Sequence, residues 1–562
     1  MSFSVQTSGT GASLKKVSLL GSVVESSDSA GISALLEAVD ARAVEISCFD
    51  ADTLPVELIE AIAASLTRGV EVKVHAYRPL LAFSLQRLAL PVLQVTPQLP
   101  QARLACCRSV ALAGSAHSLD KILCLVEALP ESAAAVFIVQ QVQEDQPNLL
   151  DRLLKVRTGY QVCMPQHLTP IKPHTIYIAP PGHHMKVAHG LVYLTRDRKI
   201  SYVRPSIDAL FESLAAEYGA DLLVVLLCGF GQDGVAGCAL VRAAGGCVLV
   251  EEGSECEGAN RLPDSAISAG YYDHLLKHRA IASIAAAAVS ERSRTLPDSL
   301  LDLFLEALFE HTGYDFRSYQ RATLQHRINH QMRLYASFFD FQCAVLSEPE
   351  ITKCLLAELS INVTEFFRHP EQFQKLRDEI LPYLASFPLI KIWSAGCATG
   401  EEAYSLAILL DELGLLQKSH IFATDINLYL LELASAGLYP IGALNQSSSN
   451  YAESGGKEFS RHLEVHDRYL KVAQRYRERV LFHHHALGQD GVFNEFQIIL
   501  CRNVMIYFEP ELQRRVFGLF ARSLHREGFL LLGPNDGMQS LAQQCQFKTD
   551  GAHIYRYAGS QS

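Results

Sequence analysis

No stretch of the 562 residues approaches the ~18 consecutive apolar positions that a membrane-spanning helix needs. Met1 to Leu14 also lacks the apolar core of a signal peptide, so neither a leader nor membrane insertion is expected. Positive charge is in deficit. The net charge of −11 argues against a nucleic-acid surface and against a polybasic membrane anchor. The 14 cysteines include no CxxC pair and most sit in apolar surroundings. That is cysteine usage of a reduced, cytoplasmic protein, and it argues against structural zinc; no metal is expected. Repeats are absent, and the polar tract "NQSSSNYAESGG" reads as an exposed loop.

What the chain does have is the composition of a folded protein, 49% hydrophobic and 19% charged, at a length too great for one ordinary domain. Three blocks emerge, each alternating apolar strand patterns with amphipathic helices. In the first, about Val17 to Thr96, "VSLLGSVV", "AVEISCF", "VEVKVHA" and "VLQV" read as strands. "SAGISALLEAVDA", "PVELIEAIAASLTRG" and "PLLAFSLQRLA" read as the helices between them. "TPQLPQARLACCR", with two prolines, reads as a linker. The second block opens at "VALAGSAHSLDKILCLVEAL" and closes at the polar segment around Pro297. The third starts with helical patterns alone, Leu300 to about Leu384, before an α/β region runs onward. The expected fold class is multidomain α/β, with three-layer, doubly wound parallel sheets and a helical subdomain.

In the third block, "LIKIWSA" is a buried strand, Gly396 to Gly400 a tight turn and Glu401 to Leu413 a helix. Such a unit opens a doubly wound sheet, whose ligands sit at the carboxyl ends of the strands. Amides at a helix N-terminus attract anions, yet Glu401 and Glu402 would repel a phosphate. Asp425 ends the next strand, "HIFATD", where an acid suits the hydroxyls of a ribose. A nucleoside carrying positive charge fits both features, such as S-adenosyl-L-methionine with its sulfonium and ammonium. The plain alternative is a helix N-terminus whose acids complement its dipole.

The segments "INVTEFFRHPEQF", "KIWSAGCATGEEAYSLAILL", "IFATDI" and "LCRNVMIYFEPELQRRV" resemble, in order and spacing, the chemotaxis receptor methyltransferases of the CheR family, over about 300–557. The resemblance implies a helical subdomain at 293–384 and an S-adenosylmethionine-binding domain at 385–562, with a small β subdomain inserted at about 439–479. It implies cofactor contacts from Asn362, Thr364, Arg368, Glu402, Asp425, Leu487 and Arg502. Arg368 would also steer the acceptor carboxylate, and Tyr507 would lie near the transferred methyl. The implied substrate is glutamate on the cytoplasmic helical bundle of a chemoreceptor, with other chemosensory proteins as further partners. Two positions depart from the family pattern. Ala486 stands where an asparagine is usual, which removes one cofactor contact, and Gln497 replaces an aspartate. His483 to His485 fall on a strand whose successive residues alternate faces, so they do not converge on a metal. In "YQRATLQHRINHQMRLY", which resembles the family's receptor-docking helix, His326, His330 and Arg333 share one face. Glutamine and histidine dilute its charge, and a solvated helix face is the alternative.

"VALAGSAHSL" places Ser115 on a strand-to-helix turn, and "LLCGFGQDGVAG" does the same for Asp233. With "YIAPPGHHM", "RPSIDALF" and "RLPDSAI", these resemble the chemotaxis methylesterases of the CheB family over about 109–289, within a domain at 104–292. The family triad is Ser, His, Asp, but the histidine position holds Gln141. His117 and Ser118 replace the glycine pair after the serine. His117, two residues past Ser115 on the same helix, is expected to face away from it. His183 and His184 belong to a structural turn. The expected result is a retained fold with a degenerate triad of Ser115, Gln141 and Asp233.

In the first block, 1–103, the acidic positions of a phosphoreceiver are poorly matched. The element order and the turn "DADTLP" look more like a STAS-type module, with Thr53 near that family's phosphoacceptor; a degenerate receiver is the alternative. The whole reads as a methyltransferase for receptor glutamates fused to an esterase-like domain. A bifunctional methyltransferase/methylesterase and a non-catalytic chemosensory scaffold remain open alternatives.

Overall fold

The computed structural model describes residues 6–8, 14–19, 43–48, 54, 56–76, 85, 88, 90, 92–94, 107–142, 149–253, 260–290, 296–360, 364–466, 468–534 and 536–558. Thr53, Asn362 and most of the helices expected at 29–41 and 79–89 lie outside them. By contacts the chain forms two compact units, one of residues 99–317 with 324–352, the other of 1–98, 318–323 and 353–562. The helical stretch 293–384 is divided between them.

In the first of these units, seven parallel strands run in the order His274–Leu276, Cys247–Glu251, Leu222–Leu226, Ser109–Ser115, Ala135–Gln141, Thr175–Ile178 and Gln161–Cys163. The central strands are buried along their whole length, as a sheet covered on both faces requires. Ser115 ends the strand at which the order reverses, the place where such sheets open a crevice. The alanine-rich helix His278–Val289 carries the helices Asp298–Thr312 and Phe338–Ser347 against it. Ser283 Oγ donates to Gln342 Oε1 at 2.9 Å within that packing.

The other unit is built on a sheet ordered Val480–His484, Ser419–Asp425, Ile390–Ala395, Phe496–Cys501, Leu524–Leu532, Ile554–Tyr557 and Phe547–Thr549. The first five are parallel and the last two form antiparallel pairs. The order reverses between Ile390–Ala395 and Phe496–Cys501, so the loops after both strands open onto one crevice. Trp393 is fully buried and donates from Nε1 to Thr424 Oγ1 at 2.8 Å, tying the two neighbouring strands together.

Between the helix Leu428–Ala436 and the edge strand Val480–His484 lies a three-stranded antiparallel sheet, with Tyr469–Val472 between Leu438–Pro440 and Leu463–Val465. "NQSSSNYAESGG", expected as an exposed loop, instead supplies most of the helix Leu444–Glu453. Its polar residues find partners: Asn450 Nδ2 donates to Phe366 O at 3.0 Å, and the Tyr451 hydroxyl donates to Glu412. Tertiary packing overrides the local preference of serine and asparagine for turns. The N-terminal strands Leu14–Leu19, Ala43–Cys48, Glu71–Ala76 and Val92–Gln94 form a sequentially ordered parallel sheet, with Gln6–Ser8 antiparallel at its edge and the helix Val56–Thr67 against it.

Candidate functional sites at the carboxyl ends of two sheets

The turn Gly396–Gly400 is a left-handed construction, with φ of 75° at Gly396, 47° at Ala398 and 90° at Gly400. Glycine is needed twice over. A Cβ on Gly396 would stand 2.5 Å from Val504 Cγ2, and one on Gly400 2.9 Å from Ala434 Cβ. The helix that follows begins with the two acids, and each has its own task. Glu401 is buried and accepts from Thr399 Oγ1 at 2.7 Å, which settles it as part of the turn. Glu402 accepts from Ser394 Oγ at 2.7 Å on one oxygen and from Arg502 Nη1 at 3.1 Å on the other.

Arg502 comes from the loop after Phe496–Cys501, across the point where strand order reverses. Its guanidinium is buried, donates to Arg368 O, and lies 5.4 Å over the Phe373 ring. Burial pulls it below its ordinary range while Glu402 opposes the shift. Arg502 Nε is buried with no hydrogen-bond partner among the described residues. Asp425, at the end of its strand, accepts from Ala398 N and from Asn427 N, each at 2.9 Å. Burial pushes its carboxyl above the usual range, with those backbone donors opposing.

The structure therefore gathers Glu402, Asp425, Arg502 and the backbone of Arg368 around one turn. Leu487 is buried in the apolar cluster that includes Trp393 and Ala395, against which half-buried Tyr507 packs. Thr364 is half-buried, and Ala486 donates its amide to Asp490 Oδ2 at 2.7 Å. Of the three histidines, His485 alone is buried, with Nε2 3.1 Å from Gly491 O and its ring edge-on to Trp393. Sequence reasoning missed Ser394 and Asp536. Asp536 accepts from Gly533 N at 2.7 Å and Asn503 N at 3.2 Å and leaves Oδ1 buried with no partner among the described residues. Its signal was available, an acid just beyond the carboxyl end of the buried strand Leu524–Leu532.

In the seven-stranded parallel sheet, Ser115 and Gln141 are register partners on adjacent strands. Gln141 Nε2 donates to Asp233 Oδ2 at 2.7 Å, and Asp233 also accepts from Ser206 Oγ (2.7 Å), Ile207 N (2.6 Å) and Asp208 N (3.2 Å). Burial pushes the Asp233 carboxyl up to about 6. A carboxyl raised in the folded state favours the fold at low pH, and that contribution is lost as pH rises through about 6.

His117 requires a correction. Its Nδ1 lies 3.5 Å from Ser115 Oγ, so it does not face away. Ser115 is the N-cap, with extended backbone, of a 3-10 turn at Ala116–Ser118, and side-chain spacing inside an α-helix does not govern that geometry. The ring is exposed, packs edge-on to Phe230, and no carboxylate among the described residues bonds it. His183 and His184 are engaged locally. His183 Nδ1 lies 3.1 Å from Pro181 O, and His184 Nε2 lies 3.1 Å from Arg198 O.

Comparison with known proteins adds three family matches. The model for the CheR methyltransferase SAM-binding domain matches residues 362–554, that for the CheR all-alpha domain 299–360, and that for the CheB methylesterase 110–284. A putative methyltransferase of Pseudomonas putida, Cher3, is 39% identical over 254 residues, which are 45% of this chain and 93% of that protein. A chemotaxis protein methyltransferase of Vibrio parahaemolyticus is 34% identical over 198 residues, 33% of this chain and 68% of that one. The crystal structure of the Thermotoga maritima CheB methylesterase catalytic domain is 26% identical, covering 32% of this chain and 97% of that chain at a TM-score of 0.30. Through residues 299–554 the chain belongs to the CheR family of chemotaxis methyltransferases, with S-adenosylmethionine as its cofactor and a CheB methylesterase domain preceding it.

Proposed function

We propose that the chain methylates glutamate side chains of chemoreceptors and that its esterase-like domain binds receptor without hydrolysing methyl esters. The observation that carries the first half is the pair of buried Arg502 and half-buried Glu402 beside Asp425 at the turn. These groups fit the cofactor. Glu402 suits its ammonium, the unpartnered Arg502 Nε suits a carboxylate, and each Asp425 oxygen keeps lone-pair capacity for a ribose hydroxyl. Asn362, Thr364 and Leu487 would complete the contacts. S-adenosylmethionine supplies a methyl group on a sulfonium that is already a good leaving group.

The protein's own task is then modest. A glutamate acceptor has pKa ≈ 4.3 and is ionised at pH 7, so no general base is needed. Positioning carries the rate, and Arg368 steers the acceptor carboxylate while Tyr507 shapes the space around the methyl. Arg368→Met should lower kcat/KM for receptor methylation by about 10- to 100-fold, the loss of one hydrogen bond to a charged group. Calorimetry on the same variant should show S-adenosylhomocysteine binding weakened as well, but by less than kcat/KM, because Arg368 is expected to touch the cofactor in addition to steering the acceptor. Native protein that binds no S-adenosylhomocysteine would instead favour a non-catalytic scaffold.

A second reading, a bifunctional enzyme, is favoured by the Ser115–His117 contact of 3.5 Å. Against it stand the exposed ring and the engagement of Asp233 by Gln141. For the N-terminal module, the sequential strand order supports a STAS-like reading over a receiver, whose sheet runs 2-1-3-4-5.

A further inference from the structure

The inserted sheet has two faces, and both are covered. Register pairs Tyr439 with Leu470, Leu438 with Lys471, and Pro440 with Tyr469, so successive residues look to opposite sides. Tyr439 and Leu470 belong to the core around the cofactor turn. Leu438 and Tyr469 belong to a different cluster, made with Leu58, Ile59 and Ile62 of the N-terminal helix Val56–Thr67. Lys471, on that same face, forms an ion pair with Glu60 of the helix, the two side chains 15% and 32% exposed. On the inner face, Tyr439 donates its hydroxyl to Thr399 O at 2.7 Å, inside the Gly396–Gly400 turn. The group held by the N-terminal module, Leu438, and the group that holds the turn, Tyr439, are consecutive residues.

We propose that the N-terminal module is a regulatory brace for methyl transfer, docked on the outer face of the inserted sheet so that docking and cofactor binding are coupled through Leu438–Pro440. A module that is docked fixes Leu438, which fixes Tyr439 and with it the Thr399 carbonyl. A signalling partner that drew the module away would loosen the turn and weaken cofactor binding. Coupling of this kind is reciprocal, so the cofactor must tighten the docking by the same factor. The inference rests on assigning the Gly396–Gly400 turn to S-adenosylmethionine.

Calorimetry with S-adenosylhomocysteine on the full chain tests it, using Glu60→Lys, Lys471→Glu and the two together. Each single change sets like charges face to face and should weaken binding about five- to tenfold, while the double exchange should recover most of the native affinity. Native binding with unchanged affinity in both single variants overturns the inference and leaves the site assignment standing. Absence of native binding overturns the assignment itself. Hydrogen exchange on the unmutated chain gives a second measurement, independent of how the variants fold. Amides of Val56–Thr67 should exchange more slowly with saturating S-adenosylhomocysteine, and equal rates with and without it would count against the coupling.

Discussion

Receptor membranes carrying labelled methyl esters, incubated with the native chain, should release no methanol that depends on Ser115. The Gln141→His variant should bring on such release with a gain on the order of 10³-fold, the contribution of a positioned general acid–base and part of the roughly 10⁶-fold that a working triad loses with its base. On the proposed reading two of the three triad positions are filled: Ser115 ends the central strand and Asp233 is buried in a network of donors. Position 141 is the register partner of Ser115 and already donates to Asp233 at 2.7 Å. An imidazole there would make that same bond from its N–H and turn its other nitrogen toward the serine. Glutamine makes the bond but can neither take the hydroxyl proton nor return it to methanol. Removing the base from a working triad costs on the order of 10⁶-fold in turnover, whereas oxyanion stabilisation alone leaves about 10³-fold over water.

Three variants, Ser115→Ala, His117→Ala and Gln141→His, separate the outcomes. Ser115-dependent release at hydrolase-like rates from native protein would refute the inactive reading, and its loss in His117→Ala would name the base. A Gln141→His protein that folds and stays silent would mean that His117 and Ser118, in place of the glycine pair, have closed the oxyanion site. The packing is tight there: Ser118 Oγ donates to Ser115 O at 2.7 Å, and a Cβ on Gly114 would stand 2.3 Å from Ser118 Oγ.

The legible parts of the chain are those in which local pattern and tertiary role agree. Ile390–Ala395, its glycine turn and Glu401–Glu412 were readable because a buried parallel strand is continuously apolar and the turn needs glycine at two defined positions. The acids at that turn were readable as a departure from the usual anion preference. Misreadings arose where a distant partner decides. Leu444–Glu453 reads as a loop because its composition favours turns, and distant partners such as Phe366, Glu365, Glu412 and His462 show why Asn450 and Tyr451 are helical and buried. His117 faces Ser115 because the α-helix begins only at Leu119, after the 3-10 turn, a boundary that no sequence pattern marks. The split of the inserted sheet between two apolar clusters depends on Leu438 and Tyr469 meeting Leu58, Ile59 and Ile62, which are far away in sequence, and no periodicity announces it. Thr53 and Asn362 fall outside the described residues.

Asp425→Ala should weaken S-adenosylhomocysteine binding by on the order of 10²-fold while shifting Tm by only a few degrees. The two effects come from different atoms' accounts. For binding, the carboxylate is the acceptor that the ribose hydroxyls would use, and each hydrogen bond to a charged group is worth about 1.5–3 kcal/mol. For stability, two terms oppose each other. Truncation frees Ala398 N and Asn427 N from their acceptor, but the space left is polar and of a size that water can enter. It also removes a buried charge that the fold disfavours, since burial pushes the Asp425 carboxyl upward. The sign of that shift gives a further expectation. A carboxyl raised in the folded state stabilises the fold at low pH and loses that contribution as pH rises through its folded value. Binding runs the other way, because the charged form is the better acceptor, so native affinity should fall as pH drops into the upper carboxylate range. In Asp425→Ala that pH dependence should flatten. A folded variant with native affinity, or with the same pH profile, would remove Asp425 from the ribose and require a different pose at the turn.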